Sequence, residues 1–403
     1  MSSLSKTIVV VLSLAVFAYV GVGYFLAHAS DDKAYQALTV YSEVMDRIQR
    51  DYVDEPNIPK VTSGALHGLL DSLDAQSSYM SPLEYKDYKD RNAQKEKAGS
   101  GIALTKIRAG YISVLSVLPG SPAEKLGLEF GDVIEKIADF STEQMSIEQA
   151  NLLLSGDAGS VVKLSVIARN KQEPQEIDVT LGKVPPAKLV EDKLQGDVAY
   201  LAVPEFEAGT SKQIHDDLVQ MSHQGATKLV LDLRNCSLGD DAEGISSAQL
   251  FLSSGTIATL KGQTVSPVVS SADASKVVWN GPVTVLIGNA TAGPAEILAA
   301  AIEDNKRGET VGDRTFGNAS MQKLIPMDDG AALILTVANY YTPSGKEIPV
   351  DGVAASVLVS PGTDQATGAP LPPPGPSSSP DDPTLKKALE VLQGTAAPAQ
   401  KAA

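Results

Sequence analysis

Between Lys188 and Val359 short apolar runs alternate with amphipathic ones, and this alternation limits the fold more than any other feature of the chain. Val198–Val203, Leu229–Leu233, Val283–Ile287 and Ala332–Val337 are compact and apolar, of strand length. Thr210–Ser222 and Ala295–Ile302 carry their apolar residues at helical spacing. Strands alternating with helices argue an α/β sheet. Gly352 to Ser360 ends this unit.

Two further units precede it. From about residue 34 to 97 the pattern is helical: Leu38, Tyr41, Val44, Met45 and Ile48 recur at helical spacing, and a turn follows at Asp54-Glu55-Pro56-Asn57. Val61 to Leu73 is a second amphipathic run, and a charged helix starts at Pro82. From Gly99 the pattern changes to short strands at Ile102–Ile107, Tyr111–Val117, Val133–Ile137 and Val161–Ala168. Ser121-Pro122-Ala123-Glu124 predicts a short helix with Ser as N-cap and Pro at its first position. Ser146 opens another helix.

With 403 residues, 43% hydrophobic and 20% charged, the chain has room for several globular domains. The organisation read from it is multidomain α/β: 1–30, a transmembrane anchor or signal peptide; 31–97, helical; 98–185, a strand-rich domain; 186–360, the α/β core; 361–403, a Pro-rich spacer and a terminal helix starting at Asp382-Pro383. A net charge of −16 excludes nucleic acid as a partner, because phosphates demand a basic surface. No metal cluster or phosphate loop is present, so no cofactor is expected. Cys236 is the one cysteine, so no intrachain disulfide forms.

Thr7 to Ser30 holds no Asp, Glu, Lys or Arg, and Ile8–Leu26 is close to the roughly 20 residues that cross a bilayer. Ala27-His28-Ala29 also resembles a signal-peptide cleavage site, so anchor and cleaved signal both stand. On either reading the acidic bulk from Asp31 lies beyond the membrane, which predicts an extracytoplasmic place in a bacterial cell envelope, with the membrane engaged only through the N-terminal segment.

Two resemblances sharpen this. The strands of 98–185, with Gly127-Leu-Glu-Phe-Gly-Asp-Val-Ile, resemble a circularly permuted PDZ domain of the bacterial protease type. Such domains add an extended chain to a sheet edge. The resemblance implies that Gly99, Ser100, Gly101 and Ile102 supply the N–H groups for a C-terminal carboxylate. The core is similar to that of the carboxy-terminal (tail-specific) processing proteases, peptidase family S41, with a crotonase-like fold. Asp232-Leu-Arg-Asn, Thr315-Phe-Gly and Tyr340-Tyr-Thr-Pro-Ser-Gly345 carry the likeness. Asp74 to Met80 is similar to the family's Leu-Asp-Pro-His-Ser-x-Tyr, with Ala75 and Gln76 replacing Pro and His.

The resemblance implies a nucleophilic serine at the start of a helix, a lysine base, an assisting glutamine and a Pro-Gly-Gly loop lending an oxyanion N–H. Gly293 stands at the serine position, Asn318 at the lysine, Gln322 at the glutamine, and Cys236-Ser237-Leu238-Gly239 along the loop. Glycine has no hydroxyl, a carboxamide is no base at neutral pH, and Leu238 does not adopt positive φ as glycine does. Thr291 is the nearest substitute hydroxyl. The expected function is therefore a catalytically inactive family member that binds C-terminal tails of envelope proteins or partners an active protease. The alternatives are an active serine-type peptidase with a displaced nucleophile such as Thr291, and a structural envelope adaptor. Oligomeric state has no signature in the sequence.

Overall fold

The computed structural model describes residues 35–93, 98–106, 110–359 and 378–394, apart from 144, 170, 172, 186, 187, 195 and 380. The membrane-segment expectation for 1–30 and the spacer at 361–377 lie outside the described residues; among those described, no helix is long and apolar enough to cross a membrane. Two compact units divide the chain, residues 1–65 and 66–403. The first contains a helix over 35–51 and the start of the helix Ile58–Asp71, as far as Ala65.

In the second unit, a six-stranded sheet runs in the order Val190–Lys193, Val198–Ala202, Lys228–Asp232, Val283–Ile287, Glu309–Gly312 and Val357–Leu358. All neighbours but the first pair are parallel. Successive side chains of a strand face opposite ways, and here both faces are covered. Leu201, Leu229, Leu231, Val283 and Val285 pack with Ile214, Leu218, Ala248, Ile297 and Leu298 of the helices Thr210–His223, Asp241–Gln249 and Pro294–Asp304. Val198, Tyr200, Val230, Leu286 and Val311 pack with Leu385 and Ala388 of the terminal helix Pro383–Leu392. A sheet covered on two sides needs strands that are apolar throughout, which is why their pattern does not alternate.

A separate antiparallel sheet forms the smaller domain, in the order Ile102–Lys106, Ile112–Val117, Val133–Ile137, Val161–Ile167 and Gln175–Thr180. Its helix, Ile147–Leu153, starts on Ser146 in a capping box with Gln149. The helix expected from Ser121 is only a 3₁₀ turn, Glu124–Leu126. The Ala123 N–H is committed to the Ser100 carbonyl, and Gly127 at φ 71° ends the turn. A third sheet joins Ser78–Met80 to Ala332–Tyr341, whose other partners include Ser320–Pro326. That pairing brings the segment 74–80 to the core. The strand Gln175–Thr180, the hairpin Thr256–Lys261 with Val268–Ser271, and the helix Asp241–Gln249 have no counterpart in the sequence reading.

Candidate functional site

In parallel sheets, ligands gather at the carboxyl ends of the strands. Three loops meet there. They follow Lys228–Asp232, Val283–Ile287 and Glu309–Gly312, and they carry Leu238, Gly293 and Asn318. Hydrogen bonds lock them together: Ala292 N–H to the Cys236 carbonyl (2.9 Å) and Phe316 N–H to the Thr291 carbonyl (2.9 Å).

Gly293 caps the Pro294–Asp304 helix at φ 56°, ψ −121°. Glycine enters this region freely, whereas a side chain there is held under strain. Such a strained strand-to-helix turn is what presents a nucleophile in many hydrolases. A β-carbon at Gly293 would meet only Asp241 Oδ1, at 3.9 Å. The frame for a side chain is thus intact and the side chain is absent.

The helix start that follows has no N–H to offer an oxyanion. Pro294 has none by its chemistry. Gly293 N–H is taken by Glu296 Oε2 (3.0 Å) and Ala295 N–H by the Ala292 carbonyl (3.3 Å). In related arrangements the residue after the nucleophile is an oxyanion donor. Pro294 is visible in the sequence, and the donor it lacks is a local signal that its residue type alone carries.

Glu296 is fully buried and ties the site together. Its Oε2 accepts from Gly293 N–H and Asn318 N–H (2.7 Å), and its Oε1 from Gly317 N–H (2.6 Å) and the Thr315 hydroxyl (2.5 Å). Burial pushes its carboxyl up to about 7 even against these bonds. Both oxygens accepting twice is nevertheless the geometry of the ionised form. Residues 293 and 318 are therefore held on one carboxylate oxygen.

Asn318 is half-buried, and its Oδ1 accepts a hydrogen bond from Gln76 Nε2. Gln322 is exposed and bonds the Ser320 hydroxyl (2.8 Å), beyond a register shift between Met321 and Gln322. Leu238 keeps out of positive φ, which falls instead on Gly239 (φ 127°), whose added β-carbon would lie 2.3 Å from the Phe206 carbonyl oxygen. The Leu238 side chain packs against the cluster of Ala103 and Leu115 from the smaller domain with Ala292, which Phe130 also covers. Beside it Ser237 Oγ lies 2.5 Å from Ser116 Oγ, so the smaller domain rests on this loop.

Thr291 is fully buried, and its hydroxyl is engaged on both sides: it donates to the Leu233 carbonyl (2.9 Å) and accepts Gly288 N–H (3.0 Å). Cys236 is buried, and burial first, then Glu205 and Asp232, push its thiol up, away from the reactive thiolate. Removing the Thr291 hydroxyl strands the buried Gly288 N–H, at a cost of about 1–3 kcal/mol, while the Leu233 carbonyl keeps the Cys236 N–H (3.2 Å). We expect Thr291→Val to lower stability by that amount in urea unfolding.

Asp241, half-buried, has its carboxyl pushed up to about 7, by burial first and then by Asp240 and Glu296. The native state thus holds this proton more tightly than the unfolded chain, whose value is 3.8. The contribution is full below that value and is lost as pH rises through 7. Asp241→Asn should leave stability unchanged near pH 3.5 and raise it at pH 8 by roughly 2–4 kcal/mol, at about 1.4 kcal/mol per pKa unit. Thermal melts at both values check this.

In the expected carboxylate loop, Gly99 sits in a strand pair with Gly182 and Ser155. Ser100 N–H goes to the Leu154 carbonyl (3.2 Å), and Ile102 N–H to the Ser100 hydroxyl (3.3 Å). Gly101 has φ 77°, and a β-carbon there would collide with Ser121. These contacts use two of the loop's donors internally.

Comparison with known proteins fits this geometry. The pattern of Peptidase family S41 matches residues 197–359, and that of a PDZ domain residues 113–167. A carboxy-terminal-processing protease of Bartonella bacilliformis is 30% identical over 82% of this chain and 76% of its own. A carboxyl-terminal-processing protease of Synechocystis is 31% identical over 76% of this chain and 71% of its own. Among solved structures, the photosystem II D1 C-terminal processing protease superposes with a TM-score of 0.67 at 26% identity, covering 80% of this chain and 92% of that one. The PDZ-bearing architecture, the shared core and the identity across most of the chain place this protein in the S41 family of carboxy-terminal processing proteases.

Proposed function

We propose that this chain is a non-proteolytic member of its family that holds extended polypeptide tails without cutting them. One observation carries the reading. Where peptide-bond cleavage needs a hydroxyl, an N–H donor and an amine, the frame is kept but the groups are replaced by Gly293, Pro294 and Asn318. Acyl transfer needs an activated nucleophile and donors aimed at the developing oxyanion, and neither is offered here. The apolar run Ile8–Leu26 supports a place on the outer side of a bacterial cytoplasmic membrane. There the partners are C-terminal tails of envelope proteins, or an active protease to which the chain presents them.

A displaced nucleophile finds no support, because the Thr291 hydroxyl is buried and doubly bonded into the fold. A structural adaptor with a vestigial groove has one observation in its favour, the internal use of the Ser100 and Ile102 N–H groups. A fluorophosphonate probe tests the absence of a nucleophile. Wild type and Thr291→Ala should both remain unlabelled, while labelling of the wild type that Thr291→Ala removes would overturn the reading. A labelled tail peptide that fails to bind the wild type would favour the adaptor.

A further inference from the structure

Gln76 and Asn318 lie 242 positions apart in the chain, yet their carboxamides are hydrogen-bonded. Neither is there by loose contact. Gln76 sits in a turn closed by Asp74, whose Oδ1 accepts Gln76 N–H (2.9 Å) and Ser77 N–H (2.7 Å). The same carboxylate accepts from the Thr336 hydroxyl (3.1 Å), and the Ser77 hydroxyl accepts Thr336 N–H (3.1 Å). That anchors the turn to the strand Ala332–Tyr341. Asn318 is fixed from its other side by Glu296, on the oxygen that also holds Gly293. A continuous hydrogen-bonded chain therefore runs from Thr336 through Gln76 and Asn318 to the start of the Pro294 helix.

A carboxamide has two donors and one double acceptor. Pairing one Gln76 hydrogen with the Asn318 oxygen leaves Gln76 Oε1 and Asn318 Nδ2, and among the described residues neither has a further partner. Both residues are half-buried, and the Asn318 N–H shares Glu296 Oε2 with the Gly293 N–H. An acceptor and a donor on paired side chains match the N–H and C=O that one residue of an extended chain turns to the same side, as in the hydrogen-bonded pair of an antiparallel ladder. Turning both amides over exchanges the two roles and leaves the match unchanged.

We propose that the Gln76–Asn318 amide pair is a peptide-backbone clamp, binding the N–H and C=O of one residue of an extended chain laid across Gly293. This rests on the tail-holding function proposed above and names its contact. Recognition through main-chain atoms is tolerant of sequence, as in strand addition. In place of a base, the site then offers a neutral grip on a substrate-like segment.

The test uses the full-length chain and a fluorescein-labelled ten-residue Ala/Ser peptide with a free C-terminus, read by anisotropy. Gln76→Ala with Asn318→Ala should weaken binding about tenfold, as expected for two neutral hydrogen bonds. Asn318→Asp separates gripping from packing, since it still accepts from Gln76 but has no Nδ2 donor. It should weaken binding several-fold while the melting temperature stays unchanged. A peptide N-methylated along its backbone should bind wild type about as poorly as the native peptide binds the double variant, with no further loss on that variant. Wild-type binding with unchanged affinity in both variants would overturn the clamp alone. Absence of any wild-type binding would overturn the tail-holding function as well.

Discussion

Gly293→Ser with Asn318→Lys should give little or no peptidase activity, whereas adding Pro294→Ala should raise turnover about 100- to 1,000-fold over that double variant. The size follows from the loss of a single oxyanion donor, which typically costs about 10²–10³ in kcat. On the proposed reading, Ser and Lys supply a nucleophile and its base, but Pro294 still presents a ring in place of an N–H donor. Space is not the obstacle at Gly293, where only Asp241 Oδ1 lies within reach of a new β-carbon. The cost is conformational, at about 1–3 kcal/mol for a side chain held at φ 56°. Release of a tail from a disordered reporter, followed by mass spectrometry, measures the comparison. Equal turnover in the double and triple variants would show that position 294 is not the missing donor.

The largest stability effect should come from Asp382→Ala, at about 3–5 kcal/mol. Arg234 is buried at 2% exposure and lies between two buried carboxylates. Asp232 takes its Nε (3.0 Å) and Nη2 (2.6 Å), and Asp382 Oδ2 sits 2.7 Å from its Nη1. This last contact is an ion pair without hydrogen-bond alignment, and both atoms otherwise lack a partner. The two carboxylates raise the guanidinium's pKa despite burial. Removing one partner of a buried pair leaves charge uncompensated, which sets the magnitude. Asp382 also caps the terminal helix through Thr384 N–H (2.8 Å) and Leu385 N–H (3.2 Å), worth about 1 kcal/mol more. Asp382→Asn keeps the cap and loses the charge, so it should fall between alanine and wild type in urea unfolding. A loss below 1 kcal/mol for alanine would contradict the assignment.

What the sequence made legible follows from which interactions are local. The strand Val283–Ile287 and the helix behind Gly293 are written in apolar runs and periodicity, and both stand where the sequence places them. The Ser146 cap and the Asp382-Pro383 helix start are equally local signals. Gln76 on Asn318 and Asp382 on Arg234 join distant segments, and no periodicity encodes such pairs. The hairpin Thr256–Lys261 with Val268–Ser271 is not legible because its strands are short and partly polar, and the first is held by Ala332–Tyr341. Leu238 shows a different limit. Its exclusion from positive φ is readable, but its packing against Ala103 and Leu115 is not, since that requires the PDZ domain to be in place.

The central claim is that the family's cleft is kept here while its chemistry is gone. The most direct measurement incubates the wild-type chain with a disordered, tail-bearing protein and reads every new terminus by mass spectrometry, beside an active family member as control. The account predicts no new termini from the wild type under conditions where the control processes the tail. Cleavage that rises with wild-type concentration and disappears when Gln76 and Asn318 are replaced by alanine would contradict it, because the cleft would then be cutting what it is held here only to bind.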